Sequence, residues 1–392
     1  MAETDSQFLG IDSATLRQRG ALHTAQEISQ QPDLWQKVWD EVRLHEAGLR
    51  EFIDVAAENA ERIIITGAGT SAFIGLSLAG LYQRKTGRLT QEIPTTDLVS
   101  HPREYLLPGQ TVLLISFARS GNSPESVAAA ALVEEISGCC YHLVITCNRQ
   151  GKLAEFGRGD RRCMFSLPPE ANDQSLAMTS SYTGMLLAGV LIAHIHALEE
   201  AKKSVDIVTG YGRKIISYYA ADLARIAEKD FRRAVFLGSG PLFGTARESH
   251  LKLQELTDGH IVCKEDSFLG VRHGPKAVID ETTLVCYIFS NQRYVSLYEK
   301  DLVHSMKKGH PPMLEIGIME NVIPGLDLDH RLFLSDNGLH LSEEYLAVCA
   351  VLPAQILAFF MSLKLGLKPD TPSATGAITR VVEGVQIYPL KV

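Results

Sequence analysis

The sequence predicts an α/β protein built from two tandem copies of one unit, each a parallel sheet with helices on both faces. Apolar strand-like runs alternate with helical stretches across residues 61–198, the pattern typical of such a sheet. The pattern then restarts, because the strand that ends in the glycine turn at Gly67 has a counterpart, a domain length later, at Gly238. An internal repeat of that length indicates a duplicated domain.

Each half supplies its own strands and helices. The first half predicts strands near 62–66, 111–116, 142–146 and 162–165, with an apolar helix over 176–197. The second half predicts strands over 234–237 and near 284–289 and 313–318, with a long apolar helix over 343–365. A polar, partly helical connection over 199–232 joins the halves, and the chain finishes in a strand-like run at 381–390.

These patterns divide the chain into four segments. We expect an N-terminal helical arm over 1–44, a first domain over 45–200, a second over 201–368 and a C-terminal tail over 369–392. Parallel strands present their carboxyl ends at one edge of a sheet, and ligands bind there where the strand order reverses. The glycine turns of both halves and a serine-rich loop fall at such ends.

Composition and charge exclude several classes of partner. The chain of 392 residues is 45% hydrophobic and 21% charged, with a formal net charge of −8 and no Lys/Arg-rich stripe. Nucleic acid and anionic membrane surfaces are therefore not expected partners. The sequence shows no signal peptide and no uninterrupted apolar run of about 18 residues, as a membrane span requires. We expect a cytoplasmic protein.

Cysteine and histidine spacing gives no metal signature. The seven cysteines form no C-x-x-C pair, and several lie in apolar runs, as expected of buried thiols in a reducing compartment. His194 and His196 are two apart on a predicted helix and so face different ways. We expect neither a metal nor another cofactor.

Residues 111–126, TVLLISFARSGNSPES, predict a phosphate site. A buried strand gives way to a loop with Ser116, Ser120 and Ser123, and Pro124 then opens a helix. Hydroxyls and backbone N–H groups at the positive end of a helix suit a phosphate monoester. The alternative is a serine-rich turn whose only task is to cap the helix.

The turn at 67–71, GAGTS, is the second anion-binding candidate. It also approximates a dinucleotide fingerprint, with Ala72 at the third glycine. A dinucleotide site needs an acidic residue at the end of a second strand to bind the ribose. Here Glu92 and Asp97 lie instead in a Pro/Thr-rich stretch. A nicotinamide cofactor is therefore not expected. The candidate contacts of this turn are Gly69, Thr70 and Ser71.

Glu248, Lys252 and Glu255 recur at helical spacing and so share one face of a predicted helix. A carboxylate of tuned pKa in such a row could serve as a general acid or base, and His273 lies in a loop with glycine and proline, which suits a positioned residue better than a core one. Taken alone, the charged face favours an exposed helix laced with salt bridges. A solvent or capping role is the alternative for His273.

In this order and spacing, four motifs resemble the sugar isomerase (SIS) domain proteins. They are GAGTS at 67–71, SGNSPES at 120–126, GSGPLFGTARESHLKLQELT at 238–257 and RHGPKAVID at 272–280. The resemblance spans roughly residues 45–385 and is strongest to the AgaS-type subgroup. It implies two tandem SIS domains, each a five-stranded parallel sheet in a flavodoxin-like sandwich, and a homodimer or higher homo-oligomer with shared active sites.

The resemblance also implies an activity. The subgroup is associated with deamination and isomerisation of D-galactosamine 6-phosphate to D-tagatose 6-phosphate and ammonia. Ketose/aldose isomerisation of tagatose 6-phosphate without deamination is the alternative, as is a non-catalytic sugar-phosphate sensor. Glu255 and His273 distinguish an enzyme from a sensor, since a sensor need not keep these two residues.

Roles follow from the isomerase half of glucosamine-6-phosphate synthase, which the motifs also resemble. Its base corresponds to Glu255 and its ring-opening histidine, from a neighbouring subunit, to His273. Its Schiff-base lysine has no counterpart in 372–382, where Arg380 is the only cation, and an arginine does not form the imine at neutral pH. Its phosphate serines correspond to Ser71, Ser120 and Ser123, and its remaining loop serine falls at Ala118 unless Ser116 takes its place. An acid and a lysine on its catalytic helix correspond to Glu248 and Lys252. We expect these two residues and Arg380 to bind the substrate.

Overall fold

The computed structural model describes residues 6–380 and 384–390, which form two compact units. The N-terminal sheet unit comprises Leu34–Asn172, Ser180–Lys203 and the described residues from Ile378 onward. The C-terminal sheet unit comprises the described residues up to Asp33, with Asp173–Thr179 and Ser204–Ala377. The N-terminal helices are thus divided between the two units, and so is the C-terminal tail.

Twelve strands lie in the described part of the chain. They are β1 (Gln7–Phe8), β2 (Ile11–Asp12), β3 (Arg62–Thr66), β4 (Leu89–Glu92), β5 (Thr111–Ala118), β6 (Cys139–Thr146), β7 (Arg162–Ser166), β8 (Arg233–Leu237), β9 (Val262–Asp266), β10 (Thr283–Ile288), β11 (Leu314–Met319) and β12 (His330–Phe333).

The helices follow the same chain order. They are α1 (Ser13–Gln18), α2 (Leu22–Ser29), α3 (Gln31–Leu44), α4 (Glu46–Asn59), α5 (Thr70–Thr86), α6 (Thr95–Ser100), α7 (Pro102–Tyr105), α8 (Pro124–Ile136), α9 (Ser180–Ala193), α10 (Leu198–Lys214), α11 (Ala220–Ala227), α12 (Pro241–Leu256), α13 (Arg293–Met306), α14 (Glu343–Cys349) and α15 (Leu352–Lys364). A π-helical turn, Ile215–Tyr219, joins α10 to α11.

Both sheets have five parallel strands in the same order. The N-terminal sheet unit runs β4-β3-β5-β6-β7, and the C-terminal sheet unit runs β9-β8-β10-β11-β12. Renumbered within each unit, both read 2-1-3-4-5, the flavodoxin-like order. The prediction of two tandem five-stranded parallel-sheet units is confirmed.

The central strands are buried on both faces, as parallel strands covered by helices must be. Every residue of β3 is buried, and β5 is buried from Val112 to its end. In the C-terminal sheet unit, Phe268, Tyr287 and Phe289 pack together, with 5.4–5.9 Å between the centroids of their rings. These aromatic contacts fill one side of that sheet.

The connection over 199–232 is helical through Ala227, in agreement with the expected partly helical stretch. Three other sequence expectations need correction. The helix expected over 343–365 is broken between α14 and α15. Glu92 ends strand β4, so the absence of an acidic strand end was not a sound argument against a dinucleotide site. Of the strand-like run at 381–390, residues 384–390 form no strand, and 381–383 lie outside the described residues.

Within the described residues, the helical stretch Glu343–Lys364 is long and apolar enough to cross a membrane, with a mean hydropathy of 2.2. A second stretch, Ser180–Ala193 with Ile195–Ala227, qualifies only as a pair bent by 78°. However, 94% of the first window is buried inside the protein, where α15 packs against α11 and α12. Its apolar side chains are those of a core helix.

Candidate active site

Two loops meet at one edge of the N-terminal sheet. Thr66 at the end of β3 pairs with Ser116 of β5, so the GAGTS turn and the serine-rich loop leave adjacent strands on the same side. In the order β4-β3-β5, the chain crosses over in opposite directions from β3. This edge is therefore the switch point where flavodoxin-like folds bind ligands.

The serine-rich loop is held tightly by the loop that follows β6. The Nδ2 of Asn148 donates to the Ser120 carbonyl at 2.9 Å, and the Leu153 N–H donates to the Gly121 carbonyl at 2.9 Å. Gly121 has φ +65°, and a Cβ on Gly151 would lie 2.7 Å from the Ser120 carbonyl oxygen. Glycine is therefore required at both positions, and the loop is preorganised.

The three loop serines differ in surroundings. Ser116 is buried within β5. The Ser120 Oγ accepts from the Asn122 N–H at 3.3 Å, and the Ser123 Oγ donates to the Glu125 carboxylate at 2.8 Å. The Ser123 hydroxyl must therefore leave Glu125 before it can donate to a phosphate oxygen.

The GAGTS turn supplies hydroxyls more than backbone donors. Gly69, which caps α5, has φ +55°, a value that favours glycine. Thr70 and Ser71 follow in the first turn, both buried. Because the Ser71 N–H donates to the Ala68 carbonyl at 3.1 Å, it is engaged within the turn, and the Ser71 hydroxyl is the better candidate donor.

The equivalent loop of the C-terminal sheet unit has the opposite electrostatics. After β10, the Ser290 N–H donates to the Glu299 carboxyl at 2.9 Å, and the Ser290 hydroxyl donates to Glu343. Burial raises the pKa of Glu299 to about 8, with a smaller contribution from the Glu343 charge. Carboxyl groups thus hold the Ser290 donors that a phosphate would need in this loop.

Helix α12 carries a buried row of alternating charge. Glu248 and Lys252 are both fully buried, while the Glu255 side chain is 24% exposed. The Lys252 Nζ lies 3.3 Å from the Glu248 Oε1 and 2.6 Å from the Glu255 Oε2. The interpretation of these residues as an exposed, salt-bridged helix face is therefore wrong.

Lys252 is held as an ammonium ion. Its complete burial acts to lower its pKa, but the charges of Glu248 and Glu255 outweigh burial, so that the pKa is raised above 10.5. A protonated amine is not a nucleophile, so Lys252 is poorly suited to form an imine with a ketose. It instead places a fixed positive charge against the Glu255 carboxylate.

His273 is the exposed last residue of a 3₁₀ turn, Gly270–His273, of the C-terminal sheet unit, in which Val271 is buried. Gly274 follows with φ +116°, which requires glycine, and no atom lies within 4 Å of the position a Cβ would take. The exposed His273 side chain is therefore accessible from solvent.

Arg119 is a cation that the sequence analysis missed. It lies between the end of β5 and Ser120, and only 7% of its surface is exposed. Its guanidinium donates to the Arg380 carbonyl, and the Arg380 Nη2 donates to the Asn172 Oδ1 at 3.0 Å. The missed signal was a lone arginine inside a serine-rich turn, since a cation in that position suits an anion site.

The candidates divide between the units. The N-terminal sheet unit holds Ser71, Ser116, Ser120, Ser123 and Arg380, and the C-terminal sheet unit holds Glu248, Lys252, Glu255 and His273. Across the described ranges, no three His, Cys, Asp or Glu side chains form a group that could hold a metal ion. All seven cysteines are free thiols.

Comparison with known proteins extends over both units. The SIS domain family model matches residues 58–195. The chain is 40% identical to D-galactosamine-6-phosphate deaminase AgaS of Shewanella sp. (strain ANA-3), over 98% of this chain and 96% of that protein.

Two crystal structures are similar throughout. One, from Clostridium novyi NT, is 38% identical with a TM-score of 0.94, covering 98% of this chain and 100% of that one. The other, of tagatose-6-phosphate ketose/aldose isomerase from Escherichia coli, is 34% identical with a TM-score of 0.84, covering 94% and 97%. The similarity in fold therefore extends over both sheet units.

Proposed function

The chain belongs to the SIS-domain family, in its AgaS-type group, and from that membership we propose that it deaminates and isomerises D-galactosamine 6-phosphate to D-tagatose 6-phosphate and ammonia. The observation that carries the proposal is the buried Glu248–Lys252–Glu255 row. It provides one partly exposed carboxylate, held in place by a buried ammonium, and a positioned carboxylate is the base that proton transfer between neighbouring sugar carbons requires.

The proposed reaction begins at the phosphate. Ser71, Ser120 and Ser123 hold the phosphate group, and His273 assists ring opening by moving a proton between the ring oxygen and the C1 oxygen. Glu255 then removes the proton from C2, giving an enolamine, and returns a proton to C1. The resulting C2 imine adds water, and the carbinolamine collapses to the ketose and ammonia.

Glu248 and Lys252 act by positioning. Lys252 fixes the Glu255 carboxylate at 2.6 Å, and Glu248 balances the charge of the buried ammonium from the other side. Arg380 contributes a positive charge to the substrate site. The C–N bond is cleaved by water, so the enzyme would be classed as a hydrolase acting on C–N bonds.

The test is ammonia release from galactosamine 6-phosphate, with glucosamine 6-phosphate as the epimeric control. We expect ammonia and tagatose 6-phosphate in equal amounts from the galacto substrate and much slower turnover of the gluco one. Interconversion of tagatose 6-phosphate with an aldose, with no ammonia from either amino sugar, would instead favour the isomerase named for the similar Escherichia coli structure. Binding without turnover would favour a sensor.

Replacing Ser120 by Ala is expected to raise KM by roughly 10- to 100-fold, because a lost hydrogen bond to a charged group weakens binding by roughly 1.5–3 kcal/mol. The value of kcat should change little, since phosphate contacts hold ground and transition states alike. Steady-state ammonia release measures both constants. Ser123→Ala should have a smaller effect, because that hydroxyl already donates to Glu125. Unchanged KM values in both variants would remove the phosphate assignment.

We further propose a cytoplasmic homo-oligomer, at least a dimer, in which His273 completes a neighbouring subunit's site. The exposure of the His273 side chain supports this arrangement, and seven free thiols suit a reducing compartment. Mixing inactive Glu255→Gln with inactive His273→Asn protein should then restore part of the activity after subunit exchange. With exchange demonstrated by a tagged subunit, no recovery would mean that each site is built from one chain.

A further inference from the structure

Arg119 is a buried charge at the entrance to the serine-rich loop. It follows the last residue of β5 and directly precedes Ser120, with 7% of its surface exposed. Its own carbonyl accepts from the Thr146 hydroxyl at 3.5 Å, so its backbone is tied to the end of β6. Burying a guanidinium costs free energy of folding unless its N–H groups donate hydrogen bonds. The Arg119 side chain makes such a hydrogen bond.

That hydrogen bond reaches the C-terminal segment, which begins at Ile378 and belongs to the N-terminal sheet unit. The Arg119 Nη2 donates to the carbonyl oxygen of Arg380, which lies 261 positions later in the chain. The Arg380 side chain donates in turn to the Asn172 Oδ1 at 3.0 Å. Two hydrogen bonds, one to the backbone and one from the guanidinium, therefore fix residue 380 within the N-terminal sheet unit.

We infer that Arg119 is a positioning residue, which docks the C-terminal segment so that the Arg380 guanidinium is presented to the anionic end of the substrate. The inference rests on the proposed function only for the identity of that substrate. A guanidinium is suited to this task because it is planar, remains charged and has several donors in fixed directions. Ser120, the next residue in the chain, belongs to the serine-rich loop.

Kinetics of four variants test the inference. Arg119→Met removes the donor while keeping much of the apolar stem, and we expect KM to rise about tenfold with kcat within about twofold. Arg119→Lys, which can still donate to the carbonyl, should recover most of the loss. The third variant is Arg380→Ala, and the fourth combines it with Arg119→Met. Because Arg119 acts through Arg380, the KM of the double variant should agree within about threefold with the higher KM of the two single variants.

If instead the KM increases of Arg119→Met and Arg380→Ala multiply, to about a hundredfold in the double variant, Arg119 contacts the substrate independently of Arg380. A fall in kcat at unchanged KM would also overturn the inference. Arg103→Met, at an exposed arginine of the same unit, controls for loss of charge. Thermal melting of each variant detects misfolding, and Arg119→Gln replaces Arg119→Met if the latter does not fold.

A second measurement needs no substrate. Limited trypsin digestion followed by mass spectrometry reports release of the segment after Arg380, and we expect it to be about tenfold faster in Arg119→Met than in the parent or in Arg103→Met. Equal cleavage rates would show that Arg119 does not dock the segment. Because this result does not depend on turnover, failure of the proposed activity would leave it standing.

Discussion

Replacing Glu255 by Gln is expected to lower kcat by at least about 10²-fold while changing KM little, because general base catalysis contributes roughly 10²–10⁴-fold. The amide preserves the shape of the side chain and can still face Lys252. It cannot accept the C2 proton, so the loss falls on the chemical step. Ammonia release from galactosamine 6-phosphate under saturating conditions measures it.

The matched control is Glu281→Gln, at an exposed glutamate of the same unit. It changes the net charge by the same amount, and its kinetic constants should equal those of the parent. Exchange of the C2 proton with deuterated water gives a second readout, which Glu255→Gln should abolish in parallel with turnover. A Glu255→Gln enzyme that keeps near-normal kcat would show that another group is the base.

The central strands could be predicted from sequence because each is a continuous apolar run. Strands β3, β5 and β6 lie in the middle of their sheet and are covered by helices. The edge strand β4 was missed because its sequence, LTQE, is short and largely polar, with Leu89 59% exposed. Only pairing with β3 makes it a strand, and a partner distant in sequence leaves no local signal.

The same limit applies to the candidate site. Ser120 and Glu255 stood out because hydroxyls in a turn and charges at helical spacing are local patterns. The burial of Lys252 and the docking of Arg119 on residue 380 depend on packing between distant segments. Periodicity could place Glu248, Lys252 and Glu255 on one face, but it could not say whether that face meets solvent or the core.

That burial predicts a large effect on stability. Replacing Lys252 by Met removes the countercharge of Glu248, whose side chain has no exposed surface. Breaking a buried ion pair by removing one partner costs about 3–5 kcal/mol, because the other charge is left uncompensated. We expect urea denaturation to show a loss of this size in the free energy of unfolding, and activity to fall because Glu255 also loses its partner.

The same experiment separates charge from packing. In the double variant Glu248→Gln with Lys252→Met, the buried carboxylate charge at position 248 is removed as well, so most of the lost stability should return although Lys252 is still absent. Lys308→Met, at an exposed lysine, should stay within about 0.5 kcal/mol of the parent. Since the pKa of Lys252 is raised, the ion pair's contribution is present throughout the neutral range and is lost only as the pH rises through that raised value. If Lys252→Met lost no more free energy of unfolding than Lys308→Met, Glu248 would take up a proton without loss of stability. The Glu248–Lys252 pair would then not be a fixed pair of charges.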